Sequence, residues 1–234
     1  MKTVWFTKLL SEHEVQLVQA FGIKPLIHPL IQINVFSGDE IIPKIKNAPK
    51  PDALIFTSKN GALSFSKTDL STEKDFLNIP FFCLGDATAE PLQKAGSNVH
   101  ISDVPTGEGL AEFVGKTLPS GATIWHFCSS IKRPETGDTL TRLGYHYIPI
   151  ESYETVTIPE IDFPDTPYDA VAFYSPSAVR SFVQLGKNDD SIPKLAIGNT
   201  TASELRANMI SPVYVAEEAS TEGILTLLKE AVLH

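Results

Sequence analysis

Two short stretches, Ser58-Lys59-Asn60 and Ser175-Pro176-Ser177, carry residue types able to do chemistry at a defined place in a fold. Each follows an apolar run and opens a helical pattern. Serine suits the cap of a helix, where its oxygen accepts from free N–H groups, and Pro176 suits the first helical position. A helix start also presents unpaired donors and partial positive charge, so it holds anions. Gly85-Asp86-Ala87-Thr88-Ala89 and Gly198-Asn199-Thr200-Thr201-Ala202 are similar, with threonine hydroxyls after a glycine turn. Thr106 opens a further helix in Thr106-Gly107-Glu108-Gly109-Leu110. Capping alone explains any one of these. Four strand-to-helix turns of one chemistry point further, because turns at the carboxyl ends of parallel strands border the ligand crevice. Tyr153 is the most interesting titratable group. It lies in the extended run Glu151–Ile158 among polar neighbours, and a phenol can donate or relay a proton. The plainer reading is a packing tyrosine.

Other chemistries lack their residues. Gly85–Ala89 has one glycine where a dinucleotide fingerprint needs three, and no Gly-Lys-Ser/Thr phosphate loop occurs. The six histidines, His13, His28, His100, His126, His146 and His234, form no i, i+4 pair and no Cys/His cluster, so a metal site is not expected. No G-x-S-x-G elbow is present. Cys83 and Cys128 lie in apolar runs and read as buried, reduced thiols. A net charge of −9 argues against nucleic-acid or acidic-membrane partners but leaves room for a small anionic ligand. No apolar run approaches the ~20 residues of a membrane span, and the start MKTVWFTKLL has no signal-peptide pattern. A cytoplasmic protein is expected. A secreted sugar- or amino-acid-binding protein would ordinarily need the missing signal.

The elements that position these groups come in two copies. Asp52–Phe65 returns as Asp169–Phe182, 117 positions later in a 234-residue chain. Gly85–Ala89 returns as Gly198–Ala202, and Thr106–Leu110 as Ser220–Ile224. Thr123–Phe127 echoes Thr3–Thr7, Leu143-Gly144 echoes Phe21-Gly22, and Pro149-Ile150 echoes Pro29-Leu30. The modules are roughly 1–116 and 117–234. Ser11 to Glu14 has capping-box spacing, and Gly22 ends that helix. Ile31–Lys50 reads as a connector with a short helical turn, and Leu63–Phe76 as a helix with a surface polar interruption. Alternating strands and helices imply parallel sheets covered on both faces. Each module could fold alone, or the modules could exchange their first βαβ units. Periodicity does not choose between the two. Gln32–Phe36 and Glu151–Ile158 are extended linkers in both schemes.

The strings FTSKNG, FYSPSAVRSF, LGDATAEPL, AIGNTTASEL, STEGILTLL and SYET, in that ordered set over essentially the whole chain, resemble the uroporphyrinogen-III synthase family. The resemblance implies two flavodoxin-like α/β domains joined by a two-stranded linker, in the exchanged arrangement. One domain would be 1–33 plus 159–234 and the other 37–150, with linkers near 34–36 and 151–158. It implies closure of the linear tetrapyrrole hydroxymethylbilane to uroporphyrinogen III with inversion of ring D, in heme biosynthesis, without metal or organic cofactor. Tyr153 matches the tyrosine of the family's linker motif and is the catalytic candidate. Ser58, Lys59, Asn60, Thr88, Thr106, Ser175, Ser177, Thr200 and Thr201 become substrate-binding candidates, with charge from Lys59 and Arg180. A monomer is expected, with the preceding bilane-forming enzyme a candidate partner. Two places depart from the family pattern. Thr7-Lys8 stands where Thr-Arg is common, and Cys128-Ser129-Ser130 stands where Arg-Gly is frequent, with Lys132 and Arg133 nearby to compensate. The alternative is a non-catalytic tetrapyrrole-binding or regulatory module. Loss of Tyr153 or of the turn hydroxyls would have favoured it.

Overall fold

The computed structural model describes residues 1–93, 98–158, 167–186 and 189–231. It divides into two compact units, one of residues 1–32 and 156–234, the other of residues 33–155.

In the first unit, β1 (Lys2–Phe6), α1 (Glu12–Ala20) and β2 (Ile23–Ile27) form the opening βαβ. Ser11 and Glu14 build the capping box, and Gly22 reverses the chain at φ +75°. The second unit begins with β3 (Ile31–Val35), which straddles the boundary, and α2 (Gly38–Ile45). There follow β4 (Ala53–Phe56), α3 (Lys59–Ser66), α4 (Lys74–Leu77), β5 (Pro80–Cys83), α5 (Asp86–Gln93), β6 (Asn98–Ile101) and α6 (Gly107–Thr117). Then come β7 (Thr123–Ser129), α7 (Glu135–Arg142) and the long β8 (His146–Thr157). The chain returns to the first unit with β9 (Ala170–Phe173), α8 (Pro176–Gln184), β10 (Lys194–Ala196), α9 (Asn199–Ala207), β11 (Val213–Val215) and α10 (Thr221–Ala231).

The first sheet has the order β11-β10-β9-β1-β2, and the second β3-β8-β7-β4-β5-β6. The modules have therefore exchanged their βαβ units. β1 runs parallel to β9, and β7 runs parallel to β4. The repeated aspartates latch each exchange. Asp169 Oδ2 accepts from the Thr3 N–H at 2.8 Å while its own N–H donates to Thr3 O. Asp52 does the same to Thr123, with Oδ2 2.7 Å from the N–H. β4 and β9 are buried at every residue, as strands covered on both faces must be. In the second unit one apolar layer, with Phe56, Phe65, Phe81 and Phe127, packs beneath α3. The opposite layer, with Ile55, Phe82, Ile124 and Leu140, packs beneath α6 and α7.

Three expectations change. Ile31–Lys50 holds a full strand and an eight-residue helix rather than a connector and a turn, and Ser37 and Glu40 close a second capping box there. Leu63–Phe76 is not one helix. α3 starts at Lys59 and ends at Ser66, and a 3₁₀ turn covers Asp69–Thr72 before α4. The polar interruption is partly interior, since Thr68 and Ser71 are buried and their hydroxyls satisfy backbone carbonyls. The echo of Pro29-Leu30 by Pro149-Ile150 is out of register. Thr3 pairs with Lys24 and Thr123 with His146, which puts Pro149 at the level of Ile27. The sequence pattern from Leu92 closes a helix at Gly96, and that residue, like residue 159 at the expected domain boundary, lies outside the described residues.

Candidate active site

In each sheet the strand order reverses next to the exchanged βαβ. Outside the carboxyl ends of the strands at such a reversal lies the ordinary ligand position of an open parallel sheet. In the second unit the reversal lies between β7 and β4. β4 delivers Thr57 and Ser58 to it. Ser58 caps α3, accepting from the Asn60 N–H at 3.2 Å. The start of α3 presses unusually close to β7, because a Cβ on Gly61 would meet Phe127 O at 2.3 Å. Only glycine allows that approach.

β8 supplies Tyr153 through a β-bulge. Cys128 pairs with Glu151, but the next residue, Ser129, pairs with Tyr153, leaving Ser152 as the extra residue. Ser152 is fully buried and its hydroxyl donates to Cys128 O. The slip gives Tyr153 the pleat position that Ser152 would otherwise hold, on the α3 side of the sheet. There it meets Ser58. The Ser130 N–H donates to Tyr153 O at 3.1 Å, so the end of β7 holds the same residue from its backbone. Burial raises the Tyr153 pKa above the ordinary phenol value, and a side-chain hydrogen bond with Ser58 works against that rise. The phenol keeps its proton at neutral pH and can donate it in a hydrogen bond.

In the first unit the reversal lies between β1 and β9. Ser175 caps α8, accepting from the Ala178 N–H at 3.2 Å. Here the polar groups bond one another. Glu14 accepts from Lys8 Nζ at 2.6 Å, from Thr221 Oγ1 at 2.5 Å and from the Ser11 N–H at 2.9 Å. Tyr174 OH donates to Thr221, and Lys8 Nζ lies 4.4 Å from the centre of the Tyr174 ring. Burial pushes the Glu14 pKa up, but these bonds together outweigh it and hold the carboxyl at about 2.

The family model described as uroporphyrinogen-III synthase HemD matches residues 12–226. The chain belongs to the uroporphyrinogen-III synthase family. This is a family of cyclising lyases in heme biosynthesis. Among solved structures, a selenomethionine mutant of uroporphyrinogen III synthase from the extremely thermophilic bacterium Thermus thermophilus is 20% identical, with a TM-score of 0.69 over 100% of this chain and 99% of that one. Uroporphyrinogen-III synthetase from Helicobacter pylori is 20% identical, with a TM-score of 0.70 over 98% and 99%. At that identity the likeness is one of fold. No curated protein matches the sequence directly.

Against the pattern of the uroporphyrinogen-III synthase family, the expected residues fall into groups. Ser58 and Tyr153 come together. Thr106 caps α6, accepting from the Gly109 N–H at 3.0 Å, and is exposed, as is Thr200 at the start of α9. Thr88 and Thr201 are buried inside their helices. Asn60 contributes its backbone to the Ser58 cap, and Ser177 accepts from Arg180 at 3.2 Å. Lys59 is paired with Glu90 at 2.6 Å and Arg180 with Glu204 at 2.9 Å, so the charge they were expected to supply is shared. Lys8, at a departure from the family pattern, is committed to Glu14. By contrast, Lys132 and Arg133 form no ion pair among the described residues. They line a cavity of about 520 Å³ with Ser130, Gly137 and Tyr147. Cys83 and Cys128 are free, buried thiols, which burial pushes up to about 12 and about 11 respectively. Among the described residues no cluster of His, Cys, Asp and Glu is placed to hold a metal, and no helix is long and apolar enough to cross a membrane.

One group escaped sequence reasoning. His126 is buried, with Nε2 2.9 Å from Thr57 Oγ1 and Nδ1 2.8 Å from Tyr147 OH. Burial, helped by the positive charge of Lys132, lowers its pKa to about 3, so the ring is neutral. The repeat held the signal, since His126 stands where the other copy has Phe6.

Proposed function

We propose that this chain closes hydroxymethylbilane to uroporphyrinogen III with inversion of ring D, and that Tyr153 is its catalytic residue. Family membership supports the overall reaction. The observation that supports the assignment of Tyr153 is the bulge at Ser152, which turns a protonated phenol toward Ser58 at the strand-order reversal of the second unit. In the route implied by the family, the carbinol of ring A loses its hydroxyl and the ring nitrogen its proton, together as water, to leave an azafulvene. Ring D attacks it through its substituted carbon, and the resulting spiro intermediate fragments and recloses inverted.

Tyr153 donates a hydrogen bond to the departing hydroxyl. Its raised pKa keeps the proton in place until the C–O bond weakens. Ser58, bonded to the phenol, polarises it toward donation. The bilane's carboxylates need local donors, because the chain as a whole is negative at −9. The capped starts of α3 and α6 supply N–H groups, and Lys132 with Arg133 supplies positive charge. Holding the terminal rings in one geometry is the larger part of the catalysis, since the free bilane also closes without inversion.

The test is a coupled assay that supplies hydroxymethylbilane and separates the I and III isomers by chromatography. Isomer III is expected, and isomer I alone at high enzyme concentration would refute the activity. Tyr153→Phe is expected to lower turnover about 100-fold with little change in KM. Turnover at the wild-type level would remove Tyr153 from the mechanism.

A further inference from the structure

His126 has no part in the chemistry just described, yet it is the most deeply buried titratable ring beside it. It lies on the middle strand of three. Tyr147, on β8, bonds one ring nitrogen, and Thr57, at the end of β4, bonds the other. The same three strands carry the candidate site. β8 continues to Tyr153, β7 to the Ser130 N–H that Tyr153 accepts, and β4 to Ser58. We propose that the Tyr147–His126–Thr57 chain is a positioning device, a polar staple across β8, β7 and β4 that sets the distance between Tyr153 and Ser58. The proposal rests on the catalytic reading of Tyr153.

The pleat supports this assignment. Ile55, Ile124 and Tyr147 pack in the layer beneath α6 and α7, and Thr57 and His126 alternate onto that side of their strands. Ser58 is the next residue after Thr57 and faces Tyr153 on the other side of the sheet. Fixing the Thr57 side chain from below therefore fixes where the α3 cap begins. Hydrogen bonds restrain direction, which apolar packing alone does not. A neutral imidazole suits the task because it donates from one nitrogen and accepts at the other, and each hydroxyl can take either role.

The first unit lacks the device. Phe6 stands at the level of His126 and Pro25 at the level of Tyr147, as the strand registers show. Tyr174 stands for Thr57 and turns to Thr221 instead. The first unit joins β1 to β9 differently, with Thr7 Oγ1 donating to Ala172 O at 2.8 Å, and no imidazole links the three strands. Strand assembly does not require His126, and its polar partners point to the site at the strand ends.

The test is the variant Thr57→Val/His126→Phe/Tyr147→Phe, which removes all three partners together. No buried donor is left orphaned, so stability should hold. Thermal unfolding within a few degrees of wild type is expected, with turnover about 10- to 100-fold lower and KM within about threefold. A folded variant with wild-type turnover overturns the proposal, as does a rise in KM at unchanged turnover. Should the triple variant not fold, Tyr147→Phe alone decides. A fall in turnover of at least about threefold supports the staple, and unchanged turnover overturns it. Wild-type enzyme that forms no isomer III would refute the functional reading itself, which keeps the two failures apart.

Discussion

His126 in the middle of β7 and Gly61 in the first turn of α3 occupy the places held in the first unit by Phe6 and Ala178. Both strand-order reversals descend from one repeat, and both have a serine-capped helix. They differ in where their polar groups point. The first unit ties Glu14, Lys8, Thr221 and Tyr174 to one another, and its reversal is a closed knot. The second unit draws α3 against β7, bulges β8 and aims a phenol at the cap. On the proposed reading, a duplicated fold keeps one copy as a framework and reserves the other for chemistry, by a few changes of side-chain size and polarity.

The sharpest way to break the contrast is to give the second unit the first unit's residue. Gly61→Ala forces a methyl group onto Phe127 O, and the loss from overpacking, about 3 kcal/mol, should exceed the small helix-propensity gain. Thermal unfolding should show a drop of several degrees. Ala178→Gly in the first unit should cost no more than about 1 kcal/mol. Next in size is substrate charge. Lys132→Ala/Arg133→Ala should raise KM about tenfold, near 1.4 kcal/mol, with turnover little changed. Arg180→Ala, at a cation of the first unit already paired with Glu204, should leave KM near wild type, and steady-state kinetics on both variants would show the difference.

A smaller effect is expected at the bulge. Ser152→Ala loses the bond to Cys128 O, about 1 kcal/mol of stability in a denaturant melt, and loosens Tyr153 enough to show in turnover. The smallest effect is a pH dependence of the first unit. Glu14 has a folded pKa of about 2 against an ordinary 4.5. Its contribution to stability is therefore present in full above about 4.5 and is lost as pH falls toward 2. Glu14→Gln should flatten the stability curve in that window. An unchanged curve would mean that the knot does not hold the carboxylate.

The repeat, the caps, the parallel α/β class and the family pattern were all legible in order along the chain. They depend on local spacing, and local spacing survives duplication. Thr88 and Thr201 were legible as hydroxyls but not as buried ones, because a helix start fixes residue type before tertiary packing fixes which face is covered. The same limit applies to charge. Lys59, Arg180 and Lys8 look alike in sequence to Lys132 and Arg133, and only their neighbours separate paired from unpaired cations. His126 was read as a scattered histidine because its partners lie 69 and 21 residues away.

By itself the sequence determined that two equivalent sheets would form with hydroxyl-bearing turns at their strand ends, since apolar runs and capping residues act over a few positions. The tertiary structure decided the exchange of the βαβ units, the register slip at Ser152 and the meeting of Tyr153 with Ser58. Those depend on which strand lies beside which, and a one-residue shift between neighbours turns a side chain to the other face of a sheet without changing anything that periodicity records.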